Sequence, residues 1–142
     1  MEKDSEKKIE IVYKDTHEFS REELEDLFLS VEWSSGHFPD KLKVAMQNFK
    51  TVISAWDGKK LIGMACAMDD GIMNAYMHYL LVRPEYQGKG IGEALVSKIK
   101  EKYSDYLRLV IVAYNKEIGF YEHCGFKRAE DASAMFITDL WT

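Results

Sequence analysis

The sequence predicts a mixed α+β fold, a twisted and mostly antiparallel sheet flanked by about four helices, and three observations lead there. Short β-rich runs of period 2 alternate with amphipathic runs of period 3.6 along nearly the whole chain. Three β-rich runs in its middle are joined by the turn signals Asp57-Gly58 and Asp69-Asp70-Gly71, which makes them antiparallel neighbours. Finally, the almost wholly apolar run Leu107–Ala113 follows a strand and a crossover helix, so it is expected as a buried strand parallel to the one ending at Val82.

Taken in order, Ile9 to Tyr13 alternates and reads as a first strand. Ser20 with Glu23 three residues on forms a capping box, Phe19 and Leu24 are spaced as a hydrophobic staple, and Leu24, Leu27, Phe28 and Val31 give the helix that follows one apolar face. A loop from Glu32 to Pro39 leads to a second helix carrying Leu42, Ala45, Met46 and Phe49. Thr51–Trp56, Lys60–Met68 and Met73–Val82 are the three central strands, and the methionines from Met64 to Met77 are expected to fill the core. Ile91, Leu95 and Ile99 mark a helix from Gly90 to Tyr103, entered through glycines. After the apolar run, Asn115 is expected to cap a short helix stopping at Gly125, with closing strands at Phe126–Lys127 and Ala134–Ile137. The order is β-α-α-β-β-β-α-β-α-β-β, with one parallel junction in mid-sheet.

At 142 residues the chain suits one domain, taken as residues 1–142, and its 46% hydrophobic and 30% charged composition is that of a globular protein. No apolar run approaches the ~20 residues of a membrane span, and Met1 to Lys8 is charged with no apolar segment behind it, so a cytoplasmic location and no membrane partner are expected. The net charge of −5, with no basic stripe, argues against nucleic acid as a partner and requires any anionic ligand to be held locally. Cys66 and Cys124 have neither disulfide-scaffold nor metal-site spacing and are read as reduced and buried, and no metal is expected.

The stretch Val82-Arg83-Pro84-Glu85-Tyr86-Gln87-Gly88-Lys89-Gly90-Ile91-Gly92 joins a strand end to a proline turn and then to three glycines opening a helix. Glycines let backbone approach a ligand closely, and the free N–H groups and positive dipole end of a helix N-terminus favour an anion. A dinucleotide fingerprint from Gly88 would need glycine where Glu93 stands, and a Walker loop would need Ser or Thr where Gly90 follows Lys89.

With these residues the sequence resembles the GNAT (GCN5-related) N-acetyltransferases. Gln87-Gly88-Lys89-Gly90-Ile91-Gly92 is similar to their Gln/Arg-x-x-Gly-x-Gly/Ala loop, preceded by Leu80-Leu81-Val82 and Pro84. Asn115 and Phe120-Tyr121-Glu122-His123-Cys124-Gly125-Phe126, about thirty residues on, resemble the family's second segment. The resemblance implies transfer of acetyl from acetyl-CoA to the primary amine of a small molecule. It also implies a sheet whose one parallel junction splays to admit the pantetheine arm.

Under that resemblance Gly88 to Gly92, including Lys89 and Ile91, hold the pyrophosphate with Gln87. Leu80, Leu81 and Val82 line the arm, and the Leu80 backbone amide polarises the thioester carbonyl. Phe120 and Tyr121 belong to the cofactor site, with Tyr121 as general acid, because a phenol of pKa ~10 can protonate a thiolate of ~8.5. Asn115 either contacts the cofactor or only caps its helix. Close relatives in pattern carry an acidic or amide pair before Leu-x-Val where this chain has His78-Tyr79. His78 is therefore a candidate base alongside an ordered chain of water. Glu32, Trp33, His37 and Tyr79 are candidates for the acceptor pocket, with Trp33 either stacking on the acceptor or plugging the core. Two other readings stay open, a catalytically inactive CoA-binding sensor and a protein or peptide amine acetyltransferase, and homodimerisation through exposed strand edges late in the chain is a further expectation.

Overall fold

Serine at position 20 starts the first helix as expected. In the computed structural model, which describes residues 10–142, the Ser20 hydroxyl accepts from the Glu23 N–H at 3.1 Å and Glu23 accepts back from the Ser20 N–H at 2.8 Å. That helix, α1 (Arg21–Ser30), buries Leu24, Leu27 and Phe28, and α2 (Pro39–Asn48) buries Leu42 and Met46. A 3-10 turn, Ser34–His37, joins the two.

The strands are β1 (Ile11–Lys14), β2 (Thr51–Asp57), β3 (Lys60–Asp69), β4 (Asn74–Val82) and β5 (Arg108–Ile111), in the spatial order of the chain. Ile9 and the charged run before it lie outside the described residues. The β2–β3 hairpin turns at Gly58, whose φ of +60° only glycine adopts without strain, with Asp57 paired to Lys60. All pairings are antiparallel except β4 with β5. That connection runs through α3 (Ile91–Lys102), and a short helix, α4 (Ile118–His123), follows β5.

Strand periodicity gives the sheet two apolar faces. Met64, Cys66, Tyr79 and Leu81 pack with α1 and α2, whereas Ala65, Met77 and Val82 pack with Ile91, Leu95, Val96 and Ile99 of α3. Both cysteines are free and buried, and burial pushes their thiol pKa values up, which leaves them protonated and unreactive.

Several sequence expectations need correction. The apolar run yields only Arg108–Ile111 as strand, with Leu107 68% and Val110 49% exposed. Among the described residues β5 has one neighbour, so it is an edge strand and the parallel junction lies at the sheet margin rather than in its middle. Phe126–Lys127 and Ala134–Ile137 form no strands: the Phe126 N–H is spent on the Tyr121 carbonyl at the end of α4, and Met135 and Ile137 stand almost fully exposed. Asn115 does not cap a helix; it opens the 3-10 turn Asn115–Glu117, preceded by Tyr114, without a side-chain capping bond. Met64 and Met77 are core residues, but Met68 and Met73 are exposed because they flank the turn between β3 and β4.

Candidate active site

Strands β4 and β5 pair over Asn74–Arg108 to Met77–Ile111 and then part. The cause is visible on the other side of β4. There Cys66 pairs with Tyr79 and Ala67 with Met77, so His78 is an extra residue, a bulge that bends the strand as it leaves its partner. The parted strands enclose a cleft of about 690 Å³, lined by His78 to Val82 on one wall and Val112, Ala113 and Tyr114 on the other. That volume suits a single small-molecule ligand, for which pockets run roughly 300–1,000 Å³.

Three glycines sit at the open end of the cleft. Gly88 and Gly90 have φ of +79° and +83°, and a Cβ on either would meet nothing within 4 Å, so the backbone faces free space that a ligand can occupy. Gly90 is the N-cap of α3, leaving the first N–H groups of that helix without helical partners. Gly92 has a packing role, since a Cβ there would stand 3.3 Å from Phe120.

The turn before the glycines is anchored by residues that the sequence reading did not single out. The guanidinium of buried Arg83 donates to the Leu61 carbonyl at 2.7 Å and to Asp26 at 2.6 Å, tying β4's exit to β3 and α1. The Tyr86 hydroxyl donates to Asp57 of β2. Gln87, expected on the ligand, lines the cleft but spends its side-chain amide on the Val82 carbonyl at 2.9 Å. A turn held from three sides pays little ordering entropy if a ligand binds to its backbone.

Leu80, Leu81 and Val82, expected on the cofactor arm, line the cleft, and so do Phe120 and Tyr121 of α4. The Tyr121 ring packs edge-on to Phe120 and Phe126, and burial, then the negative charge of Glu117, raises its pKa, so its hydroxyl stays protonated. Lys89, Ile91 and Asn115 are not among the lining residues; Ile91 is in the core under α3.

Of the acceptor-pocket candidates, Glu32, Trp33 and Tyr79 line the cleft and His37 does not. Tyr79 is buried, its hydroxyl 2.7 Å from Ser35 Oγ and its ring 6.1 Å from Trp33 and 4.9 Å from Phe28. Trp33 thus both plugs the α1 side of the sheet and faces the cleft. Glu32 takes φ of +60°, an uncommon conformation for a residue with a Cβ. His78 is half-buried with Nδ1 2.9 Å from the Tyr76 hydroxyl, and burial lowers its pKa, so at neutral pH it is an uncharged imidazole able to accept a proton.

Tyr114, Trp141 and Thr142 also line the cleft, and sequence reasoning missed all three. The only signal for Trp141 was a large aromatic in a segment without helical or strand periodicity. Chemically, the cleft combines a glycine turn with free backbone N–H groups, a slot between two parted strands, a protonated phenol and a neutral imidazole.

Comparison with known proteins gives a consistent result. The family described as acetyltransferase (GNAT) domain matches residues 48–128, the part that holds β2 to α4. The chain is 42% identical over 81 residues, 55% of its length, to GCN5-related N-acetyltransferase 2, chloroplastic, of Arabidopsis thaliana. It is 33% identical over 110 residues, 73% of its length, to the uncharacterized N-acetyltransferase ycf52 of Gracilaria tenuistipitata var. liui. It spans 31% and 60% of the lengths of these two relatives. Among solved structures, the GNAT family acetyltransferase SP0256 of Streptococcus pneumoniae superposes with a TM-score of 0.80 at 23% identity, over 92% of this chain and 98% of that one.

Proposed function

The chain belongs to the GNAT acetyltransferase family, and from that premise we propose that it is an N-acetyltransferase carrying acetyl from acetyl-CoA to the primary amine of a small molecule by direct attack in a ternary complex. The observation that carries this reading is the parting of β4 from β5 beyond Met77 and Ile111, with the glycine turn at its open end. An extended chain fits between two strands as a further strand would, and a diphosphate fits a turn whose glycines face open space.

Acetyl-CoA supplies a thioester carbonyl open to attack and a thiolate leaving group. Gly88, Gly90 and the first turn of α3 bind its diphosphate through backbone N–H groups. The Leu80 amide, on the stretch of β4 that has lost β5, stabilises charge developing on the carbonyl oxygen. Tyr121 holds a proton at Oη, and its raised pKa keeps that proton in place until a thiolate calls for it. His78 receives the proton that the amine sheds. An ammonium holds its proton far more tightly than an ordinary imidazole, and burial lowers the His78 pKa further, so His78 acts as a relay toward water and not as the final acceptor. Trp33 and Tyr79 wall the acceptor side with aromatic surface.

The test is thiol release from acetyl-CoA against polyamines, arylalkylamines, aminosugars, amino acids and lysyl peptides, with acetyl-CoA binding read by thermal shift in the same samples. Turnover led by a small amine supports the proposal. Turnover led by peptides would transfer it to a polypeptide acceptor, and a thermal shift without turnover would make the chain a CoA-binding sensor.

A further inference from the structure

Thr142 lies more than a hundred residues from the turn it is bonded to. Its carbonyl accepts from the Ser35 N–H at 2.7 Å, from Ser35 Oγ at 2.9 Å and from Ser34 Oγ, and its hydroxyl meets the Ser34 N–H at 3.4 Å. Ser35 is the residue whose hydroxyl also holds Tyr79, two positions beyond the last paired residue of β4. Next to it, Trp141 packs its ring 4.8 Å from Tyr114, three positions beyond the last paired residue of β5, and is stacked from behind by Phe136 at 5.6 Å. The Trp141–Thr142 segment therefore links one wall of the cleft to the other near the point where the strands part, and both residues line the cleft itself.

We propose that this segment is a strap that forms the fourth wall of the acceptor chamber, that Trp141 sets the size of that chamber, and that the chamber takes a compact cationic amine. The inference rests on the acetyltransferase reading for the identity of the reaction. Trp33, Tyr79 and Trp141 present aromatic surface on several sides, which favours a cation, and Glu32 lines the same cleft with a carboxylate. An extended peptide needs a groove open at both ends, and Trp141 and Thr142 occupy lining positions that such a groove would leave free. The hydrogen bonds of Ser34 and Ser35 to Thr142 hold the strap on the acceptor side, while the Tyr114–Trp141–Phe136 stack holds it on the other.

Trp141→Ala and Trp141→Phe test this, with KM measured for a compact amine and for a lysyl peptide, acetyl-CoA affinity measured by calorimetry, and exchange of the Ser35 amide followed by NMR. The Ser35 N–H is expected to be protected in the unsubstituted protein, and Trp141→Ala to release it. In that variant KM for the compact amine should rise about tenfold, as loss of one aromatic contact wall predicts, while the peptide improves relative to it and acetyl-CoA affinity stays within about twofold. Trp141→Phe should restore most of the difference. An unchanged ratio of the two acceptors, or an equal loss of acetyl-CoA affinity, would overturn the proposal. If no acceptor turns over, the acetyltransferase reading fails by itself, and Ser35 exchange still decides the strap: an amide exchanging as fast as an open loop refutes it, and a protected one that Trp141→Ala frees upholds it.

Discussion

His78 Nδ1 stands 2.9 Å from the Tyr76 hydroxyl across one strand face. Tyr76 can donate to Nδ1, which leaves the proton on Nε2, or accept from it, which frees Nε2 to take a proton. Only the second tautomer serves as a base through Nε2. Tyr76→Phe, which removes the partner, should therefore change turnover at neutral pH several-fold while leaving acetyl-CoA affinity unchanged, as steady-state kinetics with each substrate varied would show.

The lowered pKa of His78 also has a sign for stability. The unfolded chain binds the proton first, near its ordinary value of ~6.5, so the contribution of the neutral ring is complete above that pH. It drains away as pH falls from there through the lowered folded value. Denaturant unfolding between pH 7.5 and 5 should show stability declining in that window, with a shallower decline in His78→Gln, and identical slopes in the two proteins would remove His78 as the cause.

Tyr121→Phe keeps the ring against Phe120 and Phe126 and deletes only the proton donor. The expected result is a fall in kcat of about 10²-fold or more with acetyl-CoA affinity unchanged. Because the pKa of Tyr121 is raised, the unsubstituted enzyme should keep its activity through pH 10 as far as this group is concerned. An early alkaline loss that Tyr121→Phe abolishes would contradict the role.

Alanine at Gly90 and at Gly92 should fail differently. At φ of +83° the Gly90→Ala backbone is strained by about 1–2 kcal/mol, and its Cβ enters the space assigned to the diphosphate, so both stability and acetyl-CoA affinity fall. Gly92→Ala sets its Cβ 3.3 Å from the Phe120 ring, which must give by a few tenths of an ångström, so kcat should suffer more than affinity because Tyr121 follows Phe120. Calorimetric titration of both variants with CoA separates the two patterns.

Arg83→Met removes the donor of the Leu61 carbonyl and the link to Asp26. Leaving that buried carbonyl unpaired should cost about 1–3 kcal/mol, read as a lower denaturant midpoint. Acetyl-CoA binding should weaken as well, since the glycine turn loses its tie to β3 and α1.

Much of the site was legible because its signals are local. The capping box of Ser20 and Glu23, the Gly58 hairpin and the glycines before α3 each depend on residues within a few positions, where sequence and conformation are directly coupled. Gln87 shows the limit: its place beside the turn was readable, but its bond to the Val82 carbonyl was not. The expected strand at Ala134–Ile137 shows another, because alternation marks residues that suit a strand without supplying the edge they need.

The sequence by itself thus determined the element order down to α4, the glycine turn before α3 and the place of Phe120-Tyr121 on the short helix after β5. Tertiary structure alone decided how the two walls of the cleft separate, through the His78 bulge opposite Cys66 and Ala67, and how the cleft is closed, through Thr142 on Ser35 and Trp141 on Tyr114. Strand register and strap docking depend on partners from about ten to more than a hundred residues away. Their free energy comes from burial and hydrogen bonds that exist only once the sheet is assembled, so no local pattern of residues encodes them.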